Sequence, residues 1–107
     1  MSDELNPGDD DRLREFHDAF IDPATLEQLF DDIEGAAEVL AVLIKGGGRE
    51  RAHGGTLSLD EGREIFLSKK ARGLQIRYRY DGAEWWDTLM HTPSGIRIIR
   101  IEQEDWQ

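Results

Sequence analysis

The chain predicts an α+β fold, and three observations in its 107 residues predict it. Leu74, Ile76, Tyr78 and Tyr80 alternate with Gln75, Arg77, Arg79 and Asp81, the period of a strand with one apolar face. Two turn signals, Asp81-Gly82 and Thr92-Pro93-Ser94-Gly95, cut the last third into three such segments. Upstream, apolar residues recur at three-and-four spacing, the period of helices. The expected architecture is a three-stranded antiparallel meander over 74–81, 84–91 and 96–102. A further strand at 38–45 is possible, and helices are expected near 11–21, 23–34 and 59–72.

Length fits one domain over 10–107, preceded by a polar tail at 1–9 with nothing to pack. Leu13, Phe16 and Phe20, with His17 and Ile21 at the margin, outline the first helix. The second begins at Asp22-Pro23, a side-chain acceptor followed by a residue with no N–H to leave unpaired. Leu26, Leu29, Phe30 and Ile33 form its apolar stripe, and Gly35 is its expected stop.

The run EVLAVLIK at 38–45 holds three β-branched residues between glycines, which favours a central strand over a continuation of the helix. Residues 46–55 contain five glycines and predict a loop. Ser58 and Glu61 stand in capping-box register for the third helix. Lys69, Lys70 and Arg72 suit its negative end and Gly73 its close, while Gly62 inside it costs about 1 kcal/mol relative to alanine.

Closing the meander at its two turns sets its register. Arg79 then opposes Glu84, Tyr78 opposes Trp85 and Arg77 opposes Trp86. On the second hairpin Asp87 opposes Arg100, Trp86 opposes Ile101 and Leu89 opposes Ile98. Opposite charges meet twice, and such cross-strand pairs contribute roughly 0.2–1 kcal/mol each. Consecutive tryptophans are sent to opposite faces.

Composition narrows the chemistry. With no cysteine there is no disulfide, thiolate nucleophile or cysteine metal site. The longest apolar run is far short of the ~20 residues of a membrane span, and the acidic start lacks a signal-peptide pattern, so a cytoplasmic protein is expected. The formal charge of -10 disfavours nucleic acid and anionic membranes, yet residues 39–80 carry nine basic against four acidic groups.

Two surfaces follow. The first is the second face of the meander, where Trp86, Arg77, Met90, Ile99 and Ile101 form an apolar patch with an arginine, suited to a protein partner or a second copy. The second is the basic segment 45–79, in which Lys45, Arg49, Arg51, His53, Lys69, Lys70 and Arg72 are candidates for holding nucleic acid or a phosphate ligand. The glycine-rich loop lacks the order of a phosphate-binding motif. His17, His53 and His91 show no metal-ligand spacing, and no cofactor is expected. Asp87 with His91 is the weakest candidate, a catalytic pair whose case disappears if Arg100 neutralises Asp87. A non-enzymatic interaction module is the expected class.

Overall fold

The computed structural model describes residues 18–46 and 57–103. It is an α+β fold in two layers, a five-stranded antiparallel sheet with two helices on one face. The elements in chain order are β1 (Asp18–Ile21), α1 (Pro23–Ala36), β2 (Glu38–Lys45), α2 (Leu59–Leu67), β3 (Gly73–Tyr80), β4 (Ala83–Thr92) and β5 (Gly95–Gln103). Across the sheet the order is β1-β5-β4-β3-β2.

The meander forms as its turns direct. Asp81 and Gly82 both adopt positive φ, 56° and 81°, which matches the right-handed twist of the flanking strands. Arg79 pairs with Glu84, Tyr78 with Trp85 and Arg77 with Trp86. On the other side of β4, Asp87 pairs with Arg100, Trp86 with Ile101 and Leu89 with Ile98. At the second turn the Thr92 hydroxyl donates to the Gly95 carbonyl and accepts from the Ser94 N–H.

Three sequence expectations are corrected. Residues 18–21 are a strand, paired with β5 from Asp18–Ile99 to Ile21–Ile96, and the rest of the expected first helix lies outside the described residues. Helical spacing over so short a stretch was outweighed by the free edge of β5, whose backbone N–H and C=O groups a paired strand satisfies. The run at 38–45 is a strand but an edge strand, not a central one, because the sheet ends there beyond β3. A bulge between Val39 and Ala41 lets Val39 and Val42 both face the helices, which explains the near-continuous apolar run without burial on two sides.

The third correction concerns α2, which ends at Leu67 rather than near Arg72. Lys69 takes the left-handed conformation at φ 65°. Its N–H donates to the Phe66 carbonyl and the Lys70 N–H to the Ile65 carbonyl, the paired bonds of a Schellman close. The lysine thus occupies the position that glycine usually fills.

Helix starts follow the sequence. Asp22 Oδ1 accepts from the Thr25 N–H at 2.8 Å, with Pro23 opening α1. That bond holds the Asp22 carboxyl below its ordinary range. Ser58 and Glu61 complete the capping box on α2. Helix α1 runs one residue past Gly35, which keeps helical geometry, and gives way to extended backbone at Ala37.

Leu26, Phe30 and Ile33 from α1 and Phe66 from α2 pack on Val42, Leu74, Ile76, Tyr78, Trp85, Leu89 and Ile98. Gly62 explains how closely α2 approaches: a Cβ there would lie 2.6 Å from Val42 Cγ1 and 3.2 Å from Leu74 Cδ1. Its poor helix propensity is the condition of that contact. Inside the core sits a charged group. Asp87, fully buried, receives Arg100 Nε and Nη2 at 2.8 Å each and the Tyr78 hydroxyl at 3.0 Å.

Candidate functional site

The second face of the sheet carries no described helix or strand over it. Alternation places on it Asp18 and Phe20 of β1, Arg97, Ile99 and Ile101 of β5, and Glu84, Trp86, Thr88 and Met90 of β4. Gln75, Arg77 and Arg79 of β3 and Glu38, Ala41, Leu43 and Lys45 of β2 complete it. All five residues expected to form the patch, Trp86, Arg77, Met90, Ile99 and Ile101, are brought to this one face. Phe20, opposite Arg97 on β1, joins this face at 57% exposure, so apolar surface reaches the β1 edge.

At the centre the Arg77 guanidinium carbon lies 3.8 Å from the centroid of the Trp86 ring. Arg77 Nε donates to Gln75 Oε1, and Gln75 Nε2 donates to Thr88 Oγ1. The Trp86 indole N–H donates to Glu84 at 2.9 Å. The flat cation is therefore held over the ring from one side while the ring is tethered from the other, a geometry that fixes both side chains without burying them.

Around this centre the charges are matched within the face. Arg97 makes a bidentate pair with Asp18 at 2.7 and 2.8 Å, and Arg79 reaches Glu38 at 3.3 Å. These exposed pairs add little stability. Their effect is on the surface itself, which presents apolar side chains among charges mostly paired within the face, with Lys45 at its β2 end outside those pairs. The helical layer differs: Glu27, Asp31, Asp32 and Glu34 of α1 and Asp60, Glu61 and Glu64 of α2 make it acidic.

The basic candidates divide. Arg49, Arg51 and His53 lie outside the described residues. Lys45, Lys69, Lys70 and Arg72 gather at one end of the sheet. There Lys45 pairs with Gly73 across the β2–β3 ladder, and the Arg72 side chain lies against Gly46. An open cavity of about 540 Å³ is lined there by Lys69, Ala71, Arg72, His91, Thr92 and Pro93. The His91 ring stacks on Phe66 with centroids 4.0 Å apart, and its Nε2 donates to the Phe66 carbonyl at 2.8 Å. His91 is thus a fixed wall of this cavity, which sequence spacing had not linked to the lysines.

The catalytic pairing of Asp87 with His91 is not assembled, since Asp87 is engaged by Arg100 and Tyr78 while His91 bonds to Phe66. A second groove, about 380 Å³, runs between α1 and the sheet and is lined by Leu29, Ile33, Ala37, Tyr78, Tyr80 and Arg100 among others. Its floor is the outer edge of the buried charged group. Among the described residues no three histidine or acidic side chains converge on a metal position, and no helix is long and apolar enough to cross a membrane.

No family model, curated protein or solved structure matches the chain.

Proposed function

We propose that the chain is a non-enzymatic protein-interaction module whose docking surface is the open face of the sheet, and that the occupant of that face is a second copy of the chain. The observation that carries this reading is the Arg77–Trp86 stack, held in place at the centre of an apolar face whose ion pairs close on themselves. Tryptophan and arginine are the side chains most often found to dominate binding energy, above all when surrounded by contacts that exclude water.

Charge favours a copy over a basic partner. A cationic protein would be drawn to the acidic helices, whereas a face with paired charges suits another of the same kind. Two such sheets packed about 10 Å apart leave both acidic helical layers pointing outward, beyond the ~8 Å screening length at physiological salt. Five strands at ~4.8 Å spacing and about eight residues at ~3.4 Å project to roughly 650 Å², of the order of the ~800 Å² per partner in stable interfaces.

Sedimentation velocity across the micromolar and millimolar range tests this. A dimer that dissociates on dilution, and that Trp86→Asp abolishes while Asp31→Lys on the helical layer does not, is the expected result. A wild-type chain that stays monomeric at every concentration overturns the assignment of a second copy.

A further inference from the structure

Among the described residues, five arginines have partners: Arg63 with Glu27, Arg77 with Trp86 and Gln75, Arg79 with Glu38, Arg97 with Asp18 and Arg100 with Asp87. Lys45, Lys69, Lys70 and Arg72 form no ion pair with any described residue. In a chain of net charge -10, with carboxylates in excess of cations, these four stand together at one end of the sheet without a described acidic partner. Two of them, Lys69 and Arg72, line the cavity walled by His91.

A plainer role for the lysines, neutralising the end of α2, is weakened by the bonds there. The Glu64 carbonyl accepts from the Ser68 N–H, the Ile65 carbonyl from the Lys70 N–H and Ser68 hydroxyl, and the Phe66 carbonyl from the Lys69 N–H and His91. The Glu64, Ile65 and Phe66 carbonyls are thus satisfied by backbone and neighbours without the lysine ammonium groups. Lys69 also holds a left-handed φ of 65°, a conformation glycine adopts without strain. Strain of this kind clusters at binding and catalytic sites.

We infer that the cavity between the α2–β3 connection and the β4–β5 turn binds a small phosphate monoester, with Lys69 and Arg72 as its charged contacts and His91 as its fixed wall. Arginine and lysine are complementary here, the planar fork giving direction and the ammonium a compact charge. Thr92 lines the cavity but supplies no free hydroxyl hydrogen, because it already donates to Gly95. A small ligand is favoured over nucleic acid because a polyanion would extend beyond these four cations across a strongly acidic molecule.

The test is a titration of the full chain with inorganic phosphate, followed by backbone amide NMR, with chloride at matched ionic strength as the control and a short single-stranded DNA as a third arm. Expected are saturable shifts confined to residues 69–72 and 91–92 that chloride does not reproduce. Lys69→Gly discriminates further, since it relieves the left-handed strain: its melting temperature should rise by a few degrees while phosphate affinity falls about tenfold. Arg72→Gln should weaken binding to a similar degree. Shifts that grow linearly without saturation, or that chloride reproduces, or that survive Lys69→Gly and Arg72→Gln unchanged, overturn the site. Tight binding of the DNA with shifts spread across the sheet overturns it in favour of a nucleic-acid surface.

Discussion

The two faces of the sheet hold the same three kinds of side chain and use them in opposite ways. On the covered face Arg100, Tyr78 and Asp87 lie at 5%, 5% and 0% exposure, joined by three direct hydrogen bonds. On the open face Arg77, Trp86 and Glu84 are only partly buried and are joined by a cation–ring contact and one hydrogen bond. Residue type therefore says little about role. What differs is desolvation: the buried set must remain complete, because each member would be left without water if a partner were removed. Removing a member of the open set exposes the rest to solvent that already surrounds them.

The largest expected effect comes from breaking the covered set. Asp87→Ala leaves the Arg100 guanidinium inside the core without its carboxylate and should cost about 3–5 kcal/mol in urea unfolding. A loss below about 1 kcal/mol would show that water reaches Arg100 and that the two faces are less different than their exposures imply.

A smaller effect is expected at Tyr78, and it depends on pH. Burial, with the neighbouring Asp87 charge adding to it, pushes the Tyr78 hydroxyl far above the usual tyrosine range. Its proton is bound more tightly in the folded chain than in the unfolded one. The resulting stability is fully present below the unfolded value near 10 and is lost as pH rises beyond it. Tyr78→Phe should cost about 1.5–3 kcal/mol at neutral pH, and its unfolding midpoint should fall less than that of wild type between pH 9 and pH 11. Equal slopes in the two proteins would contradict the assignment.

On the open face, Arg77→Ala removes a contact of about 0.5–1 kcal/mol and should leave monomer stability nearly unchanged. Its larger consequence is expected in dimerisation. Should the substitution unfold the chain instead, the open face would be a structural element rather than a docking one.

How far the sequence disclosed this contrast depends on the range of the interaction involved. The meander register was readable because Asp81-Gly82 and the turn after Thr92 are local, and once they close, Asp87 must meet Arg100. Strand β1 was hidden because Asp18–Ile21 acquires its conformation from β5, nearly eighty positions away, as the Asp18–Arg97 pair shows. For the same reason Phe20 was missed as part of the open face. The end of α2 was misplaced because only tertiary structure reveals a lysine where glycine is expected. Alternation pointed the helices to the face of Leu74, Ile76 and Tyr78, but no local signal says whether the other face is covered, so the exposure of Trp86 awaited the fold. The basic corner was only half visible: sequence proximity joined Lys69, Lys70 and Arg72, but His91 arrives from another strand.

The bulge in β2 also limits how the molecule can assemble. It bends the outer rim of the sheet, and near its middle the Leu57 N–H already occupies the Val42 carbonyl. That rim offers no long, straight template to a further strand, so growth by strand addition at β2 is disfavoured. Association through the flat of the sheet, as proposed, would consume its own surface at the first step and give a closed pair that cannot propagate.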